Sequence, residues 1–281
     1  MTHAKPIDSG EMTFRLGVSR TVDGGVAKGK GEAPDPPDLS VDIFYTRVDA
    51  IGEFFHQVNH KFAFGVTPPW YHVTSRNNQT GEGDTKSGYQ DLGGYVIWWP
   101  WEEPESHGGE DPLFSLHNFS VLGGLTLPTA DERTGPPPAY HFAQDGLGSI
   151  NFRLALTYMG AINDSLYAFG SSEIVVDTST STSGLRNGNT YAFSIGAAWK
   201  ATSWAFPFAL YQAEVKDHSI QSGTILTDSS GVFWIATLGV SLTPIKNIAV
   251  DIEASLPFYH RVGGQQTLAG NSYTIGVTYQ W

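Results

Sequence analysis

The sequence predicts an all-β protein: a transmembrane, antiparallel up-and-down β-barrel of about twelve strands, with residues 1–281 as one domain. Three observations lead there. The last strand alternates strictly, with Tyr273, Ile275, Val277, Tyr279 and Trp281 on one face and Thr274, Gly276, Thr278 and Gln280 on the other, so one face is oily and the other small or polar. Similar segments recur along the chain with turn signals between them, and no stretch of 3.6-residue periodicity replaces them. The connections alternate between long and short, as in a barrel with long loops on one rim and tight turns on the other. A sandwich gives no reason for that regularity.

Residues 1–10 form a short periplasmic N-terminal segment in this reading. Strands follow near 11–20, 40–50, 60–73, 88–99, 113–127, 147–159, 165–176, 189–200, 204–216, 231–243, 247–259 and 272–281. Long connections fall at 21–39, 74–87, 128–146, 177–188, 217–230 and 260–271, and tight ones at 160–164, 201–203 and 244–246. The short-turn rim has one exception, Pro100 to Pro112, which is long and acidic. Parity is clear in several strands. Phe152, Leu154, Leu156 and Tyr158 oppose Asn151, Arg153, Ala155 and Thr157; Tyr191, Phe193, Ile195, Ala197 and Trp199 oppose Ala192, Ser194, Gly196 and Ala198; Val250, Ile252 and Ala254 oppose Asp251, Glu253 and Ser255. Charges share the small-residue face, which is therefore the interior, because a basic residue turned to lipid costs about 2–4 kcal/mol near the midplane.

Composition narrows the function classes. No run of eighteen apolar residues offers a transmembrane helix, yet a barrel dilutes its apolar residues to every second position and keeps an ordinary mean hydropathy. The net charge of −12 and the lack of a basic cluster exclude nucleic acid as a partner. The chain has no cysteine, in keeping with passage through an oxidising periplasm. Its first residues, Met1-Thr-His-Ala-Lys-Pro6, hold no apolar core of an export signal, so a removed signal peptide is expected.

The aromatic content, 13%, suits interfacial girdles. Trp98, Trp99, Trp101, Trp199, Trp204 and Trp281 sit beside the short-turn rim and are expected to form a belt at the periplasmic interface. Tyr273, Ile275, Val277, Tyr279 and Trp281 are expected to serve also as the signal read by the barrel-assembly machinery. Channel-lining charges are expected at Arg15, Asp42, Arg153, Asp251 and Glu253, with one of the loops Pro100 to Pro112 or Pro128 to Gly146 folded inward as a constriction. No metal or cofactor is expected: His56 and His60 are four apart at a turn between strands, where that spacing does not converge side chains. No enzyme is expected either. His117 and Ser120, three apart on a strand, point to opposite faces and cannot form a base and nucleophile pair, and no nucleophile elbow, P-loop or dinucleotide fingerprint is present.

Leu122-Gly-Gly-Leu-Thr-Leu-Pro-Thr129, then Gly146-Leu-Gly-Ser-Ile150, Leu238-Gly-Val-Ser-Leu-Thr-Pro244, Ser255-Leu-Pro-Phe-Tyr259, Gly264-Gln-Gln266 and Gly276-Val-Thr-Tyr-Gln-Trp281 run in order through about the last 165 residues. Together they resemble the motifs of the MetA-pathway phenol-degradation family of bacterial outer-membrane proteins. Ala130 stands where that family usually has Gly, and Trp281 where it more often ends in Phe. The resemblance implies a barrel in the outer membrane of a Gram-negative bacterium that passes hydrophobic or aromatic compounds, distantly related to long-chain fatty-acid transporters. Those transporters carry an N-terminal plug, whereas only about ten residues precede the first strand here, so a barrel without such a plug is expected. A barrel of about twelve strands is wider than eight-stranded ones that side chains fill and narrower than open porins. The expected function is thus passive or facilitated passage of a small molecule, with outer-membrane lipid around the barrel. The alternative is a non-conducting sleeve for a periplasmic or surface protein, such as an electron-transfer component.

Overall fold

A computed structural model describes the backbone of residues 12–28, 43–51, 53–59, 62–67, 69–77, 83–89, 91–100, 117–129, 149–181, 184–245, 247–263 and 265–280, and the side chains of 62–67, 91–100, 119–129, 149–181, 184–227, 229–245, 247–263 and 271–279. The strands of the first half are β1 (Met12–Lys28), β2 (Ile43–Ile51), β3 (Glu53–Asn59), β4 (Phe62–Thr67), β5 (Pro69–Asn77), β6 (Gly83–Tyr89), β7 (Leu92–Trp98) and β8 (His117–Leu127). Those of the second half are β9 (Asn151–Asn163), β10 (Leu166–Asp177), β11 (Leu185–Arg186), β12 (Thr190–Trp199), β13 (Ala205–Lys216), β14 (Ser219–Gln221), β15 (Thr224–Leu226), β16 (Gly231–Ile245), β17 (Ile248–Val262) and β18 (Gln265–Gln280).

Twelve of these strands make a closed barrel in the order β1-β18-β17-β16-β13-β12-β10-β9-β8-β7-β4-β3. Every pairing is antiparallel, and β1 against β3, with Met12 opposite His56 and Arg15 opposite Glu53, closes the circuit. Closure satisfies every strand edge internally, the condition for backbone to cross hydrocarbon. At a rise of about 3.3 Å per residue and a tilt of about 40°, a twelve-residue strand covers roughly 30 Å, enough for the apolar band of a bilayer. The apolar residues of alternating parity, among them Phe62, Val96, Phe152, Leu156, Phe193, Ile195, Leu238, Ile252 and Ile275, are exposed on the outside of this cylinder. Exposed aliphatic and aromatic side chains on the described strands of a closed barrel, with polar, small or close-packed residues facing in, mark a transmembrane β-barrel.

Where the strands differ from the sequence reading, they overrun the barrel wall. The segment expected as the second barrel strand, 40–50, corresponds to β2, which pairs with β5 in a separate sheet of order β2-β5-β6, and the barrel strand is β3 instead. Each of these three strands is separated from a barrel strand by one or two residues: residue 52 before β3, residue 68 after β4, and residues 90 and 91 before β7. The sheet order repeats the barrel order β3-β4-β7, so alternating sequence continues while the ladder changes sheets. Strand length likewise shortens two connections expected to be long. β5 and β6 are joined through 78–82, and β17 and β18 through 263 and 264 rather than 260–271.

Tight turns on the opposite rim have local causes. After β9, the Asn163 side-chain oxygen accepts from the backbone N–H groups of Ser165 and Leu166, both at 3.0 Å, an Asx turn that reverses the chain in two residues. On the long-loop rim, β11, β14 and β15 form a small sheet. Its hairpin turns through Ser222 at φ 49° and Gly223 at φ 83°, the pair of left-handed residues that a two-residue hairpin requires. Asp177 at the top of β10 ties this rim together. Its carboxylate accepts from Ser149 Oγ at 2.9 Å and from the Asn187 backbone N–H at 2.8 Å.

Candidate functional site: the barrel lumen

Inward residues of neighbouring strands line up in rungs, and on β9, β10, β12 and β13 the rungs sort by chemistry from one rim to the other. Nearest the long-loop rim are charges. Arg153 on β9 and Glu173 on β10 pair through Nη2 and Oε2 at 2.7 Å, while Glu214 and Lys216 project from the same face of β13, in register with Ala192 and Thr190 of β12. The Arg153 side chain is 49% exposed, so water reaches it from the lumen. An exposed pair of this kind contributes no more than about 1 kcal/mol to stability; its effect is on the local field.

Below the charges runs a row of hydrogen-bonding side chains. Ser120, Thr157, Ser171, Ser194 and Gln212 are successive lateral partners across β8, β9, β10, β12 and β13. Ser120 bonds Thr157, and Ser171 bonds Ser194 at 2.7 Å. Thr237 and Ser255, a second rung on β16 and β17, are also 2.7 Å apart. Each hydroxyl keeps donor or acceptor capacity for the lumen after its one bond to a neighbour.

The short-turn half of the same wall is apolar. Met159, Phe169, Ala198 and Phe208 form one buried cluster with Leu210 against it, and Tyr167 and Phe206 are buried on the same inward face. A second cluster, Ala63, Ile97, Trp99, Leu122 and Ala155 with Tyr95 against it, lies on the rungs of the charges instead: Leu122 and Ala155 are level with Glu173, and Tyr95 with Arg153 through Gly124. Three of the rings lie on glycines of the next strand: Tyr95 over Gly65, Phe169 over Gly196 and Phe208 over Gly239, each in the space a side chain at the glycine would fill. Each pair is a lateral partner in the register. The glycine lets the ring fold along the wall, so the lumen acquires an aromatic surface that does not stand across it.

The expected site residues distribute as follows. Arg153, Asp251 and Glu253 lie on the inward face. Arg15 has its backbone in β1, opposite Thr278 and Glu53, and its side chain lies outside the described residues, as do Asp42, Trp101 and Trp281. Trp98, Trp199 and Trp204 are outward and exposed. Trp99 is a correction: it is 1% exposed and packs inward on Ile97 and Leu122. Adjacent residues of a strand point to opposite faces, so Trp98 and Trp99 cannot both belong to an outer belt. Tyr273, Ile275, Val277 and Tyr279 are all outward and exposed. Ser120 is inward and already bonded to Thr157. Of the loops expected to fold inward, 101–112 and 130–146 lie outside the described residues. Among the described residues no three His, Asp or Glu side chains converge as a metal site.

Sequence reading missed Glu173, Glu214 and Lys216, and expected a wall of charge, Thr, Ser and Gly without the aromatic half. The deciding mark is a glycine one strand away from each inward aromatic, a pairing that the register alone reveals. At Leu166-Tyr-Ala-Phe169 and Ala205-Phe-Pro-Phe208 both faces are apolar, and there alternation does not say which residue points in.

Replacing Arg153 with Glu removes the pair with Glu173 and places three carboxylates in that tier. The K⁺/Cl⁻ permeability ratio from reversal potentials should rise by about two- to threefold at low salt, where screening is weak, with thermal stability unchanged. An unchanged ratio would place Arg153 away from the conducting path.

No protein-family model matches the chain, and no curated protein sequence matches it. Among solved structures, the chain is similar to an outer-membrane channel from Pseudomonas putida F1, with a TM-score of 0.78 at 10% identity, covering 100% of this chain and 99% of that one. It is also similar to the CymD monoaromatic hydrocarbon channel, with a TM-score of 0.48 at 11% identity over 98% of this chain and 89% of that one. The KdgM porin gives a TM-score of 0.45 at 12% identity over 96% and 98%. The first likeness runs end to end in both chains and establishes the outer-membrane β-barrel fold for this one.

Proposed function

We propose that the protein is a channel of a bacterial outer membrane through which small molecules, including hydrophobic and aromatic ones, pass down their gradients without chemical change. The observation that carries this reading is the graded wall of β9, β10, β12 and β13: charges at one mouth, then a row of hydroxyls, then the rings of Phe169 and Phe208 laid over glycines. A barrel of twelve strands is about 24 Å across between backbones at this spacing and tilt, so its lumen passes a small solute but not a folded protein. A solute with an apolar body desolvates against the rings, while its polar end exchanges water for the hydroxyl row one or two rungs away. The fold shared with a solved outer-membrane channel supports the same reading.

The reading places the exposed tryptophans Trp98, Trp199 and Trp204 at the periplasmic interface, and makes outer-membrane lipid and the assembly machinery the protein's surroundings and its route of insertion. The test is single-channel recording of purified protein in planar bilayers, together with swelling of proteoliposomes in small aromatic and sugar solutes. Discrete conductance steps and faster entry of the aromatic solutes are expected. Electrically silent protein that co-purifies with a stoichiometric protein partner would replace the channel with a sleeve.

A further inference from the structure

Opposite the charged mouth, toward the short-turn rim, the wall formed by β16, β17 and β18 carries a second set of charges, both of them carboxylates. Asp251 stands between Ser241 and Gly276, and Glu253 between Gly239 and Thr274, so both carboxylates rise from a floor of small side chains. Asp251 is only 9% exposed and has no hydrogen-bond donor or cation beside it among the described residues. On the next strand, the Thr278 hydroxyl is also buried without a partner. The described inward cations are at the far mouth: Phe206 is the residue of β13 level with Asp251 through Ser241, and Lys216 lies about ten residues beyond it, roughly 33 Å along the strand. A carboxylate on so little-exposed a residue, with no partner among the described residues, favours a cation beside it.

The aromatic wall meets this patch through one glycine. Gly239 is the lateral partner of both Phe208 and Glu253, and the Phe208 ring occupies the space where a side chain at 239 would stand. No side chain therefore separates the ring from the carboxylates. Resting on the channel reading, we propose that Asp251, Glu253 and Phe208 form a binding site for aromatic ammonium ions. The ammonium group sits between the two carboxylates, and the ring of the ligand continues the apolar surface of Phe208. An ammonium ion supplies the donors these groups lack, and its positive charge is favoured by the face of a neighbouring ring.

The test compares benzylammonium with neutral benzyl alcohol as blockers of K⁺ current through the full chain in planar bilayers. Benzylammonium should block at concentrations where benzyl alcohol does not. In the double variant Asp251→Asn, Glu253→Gln, its apparent dissociation constant should rise about tenfold, the scale of losing a charge-assisted hydrogen bond. Heat-modifiable migration on a gel verifies that the variant is still a folded barrel. Equal potency of the two compounds would overturn the site, and so would block that survives in the folded double variant, the outcome expected if Arg15, whose backbone lies opposite Thr278, already neutralised the pair. A folded parent protein that never conducts would instead overturn the channel reading.

Discussion

Ile195→Arg should prevent stable insertion of the barrel, whereas Ser194→Arg, one residue away, should insert normally and conduct less. Ile195 lies midway along β12, 55% exposed on the outer face, between Gly170 of β10 and Tyr211 of β13. A guanidinium at that height is held in hydrocarbon at a cost of about 2–4 kcal/mol, with no nearby interface for so short a reach. That is a large fraction of the net stability of a domain, and its lateral neighbours Gly170 and Tyr211 carry no carboxylate to offset it. Ser194 points the other way, bonded to Ser171 in the hydroxyl row. An arginine there meets enclosed water and neighbours such as Gln212, its lateral partner, and narrows the path. Heat-modifiable migration in the membrane fraction scores insertion, and bilayer conductance scores the second effect. Equal behaviour of the two variants, either both inserted or both lost, would contradict the assignment of faces on which the lumen rests.

That assignment was legible in the sequence wherever one face alone was apolar. The last strand, β9 and β12 alternate cleanly, and Phe152, Leu154, Leu156, Tyr191, Phe193, Tyr273 and Ile275 are all exposed outward as read. The strand number was legible for the same reason, and so were the short turns after β9 and β12. Two features were not. Strand ends could not be read where alternation continues past the barrel, because a two-residue period is equally good in β2, β5 and β6, which pair with one another above the wall, as in β3, β4 and β7, which complete it. Inward aromatics could not be read because outward and inward residues are both apolar toward the short-turn ends of β10 and β13. The sequence holds the deciding information in another strand: Phe169 is inward because Gly196 receives its ring, and Phe208 because Gly239 does. Such a pairing is visible only once the register is known. Trp99 was misplaced by a related shortcut, in which nearness to a turn outweighed its parity against Trp98.

Phe208→Ala should raise single-channel conductance while slowing the entry of aromatic solutes, two effects of opposite sign. The ring is 8% exposed and belongs to the cluster with Met159, Phe169 and Ala198. Its removal leaves a recess over Gly239, where the ring and the Ile252 carbonyl oxygen are the nearest neighbours of the missing side chain. Truncating a well-packed phenylalanine costs about 3–5 kcal/mol in a compact core. Here the ladders of β12 and β16 hold β13 on both sides, so the expected result is a folded barrel with a lower denaturant midpoint. Removing the ring widens the lumen at that level, and K⁺ current should rise by roughly twofold. An aromatic solute, however, loses the surface on which it sheds water, and a buried ring contributes several kcal/mol of such burial when fully used. Proteoliposome swelling in benzyl alcohol should therefore slow relative to swelling in a sugar of similar size. If the ring merely packed the wall, conductance would rise but the ranking of solutes would stay as in the parent; if it lay off the path altogether, neither quantity would move. Only a rise in current together with a fall in aromatic preference fits a ring that is part of the conducting surface.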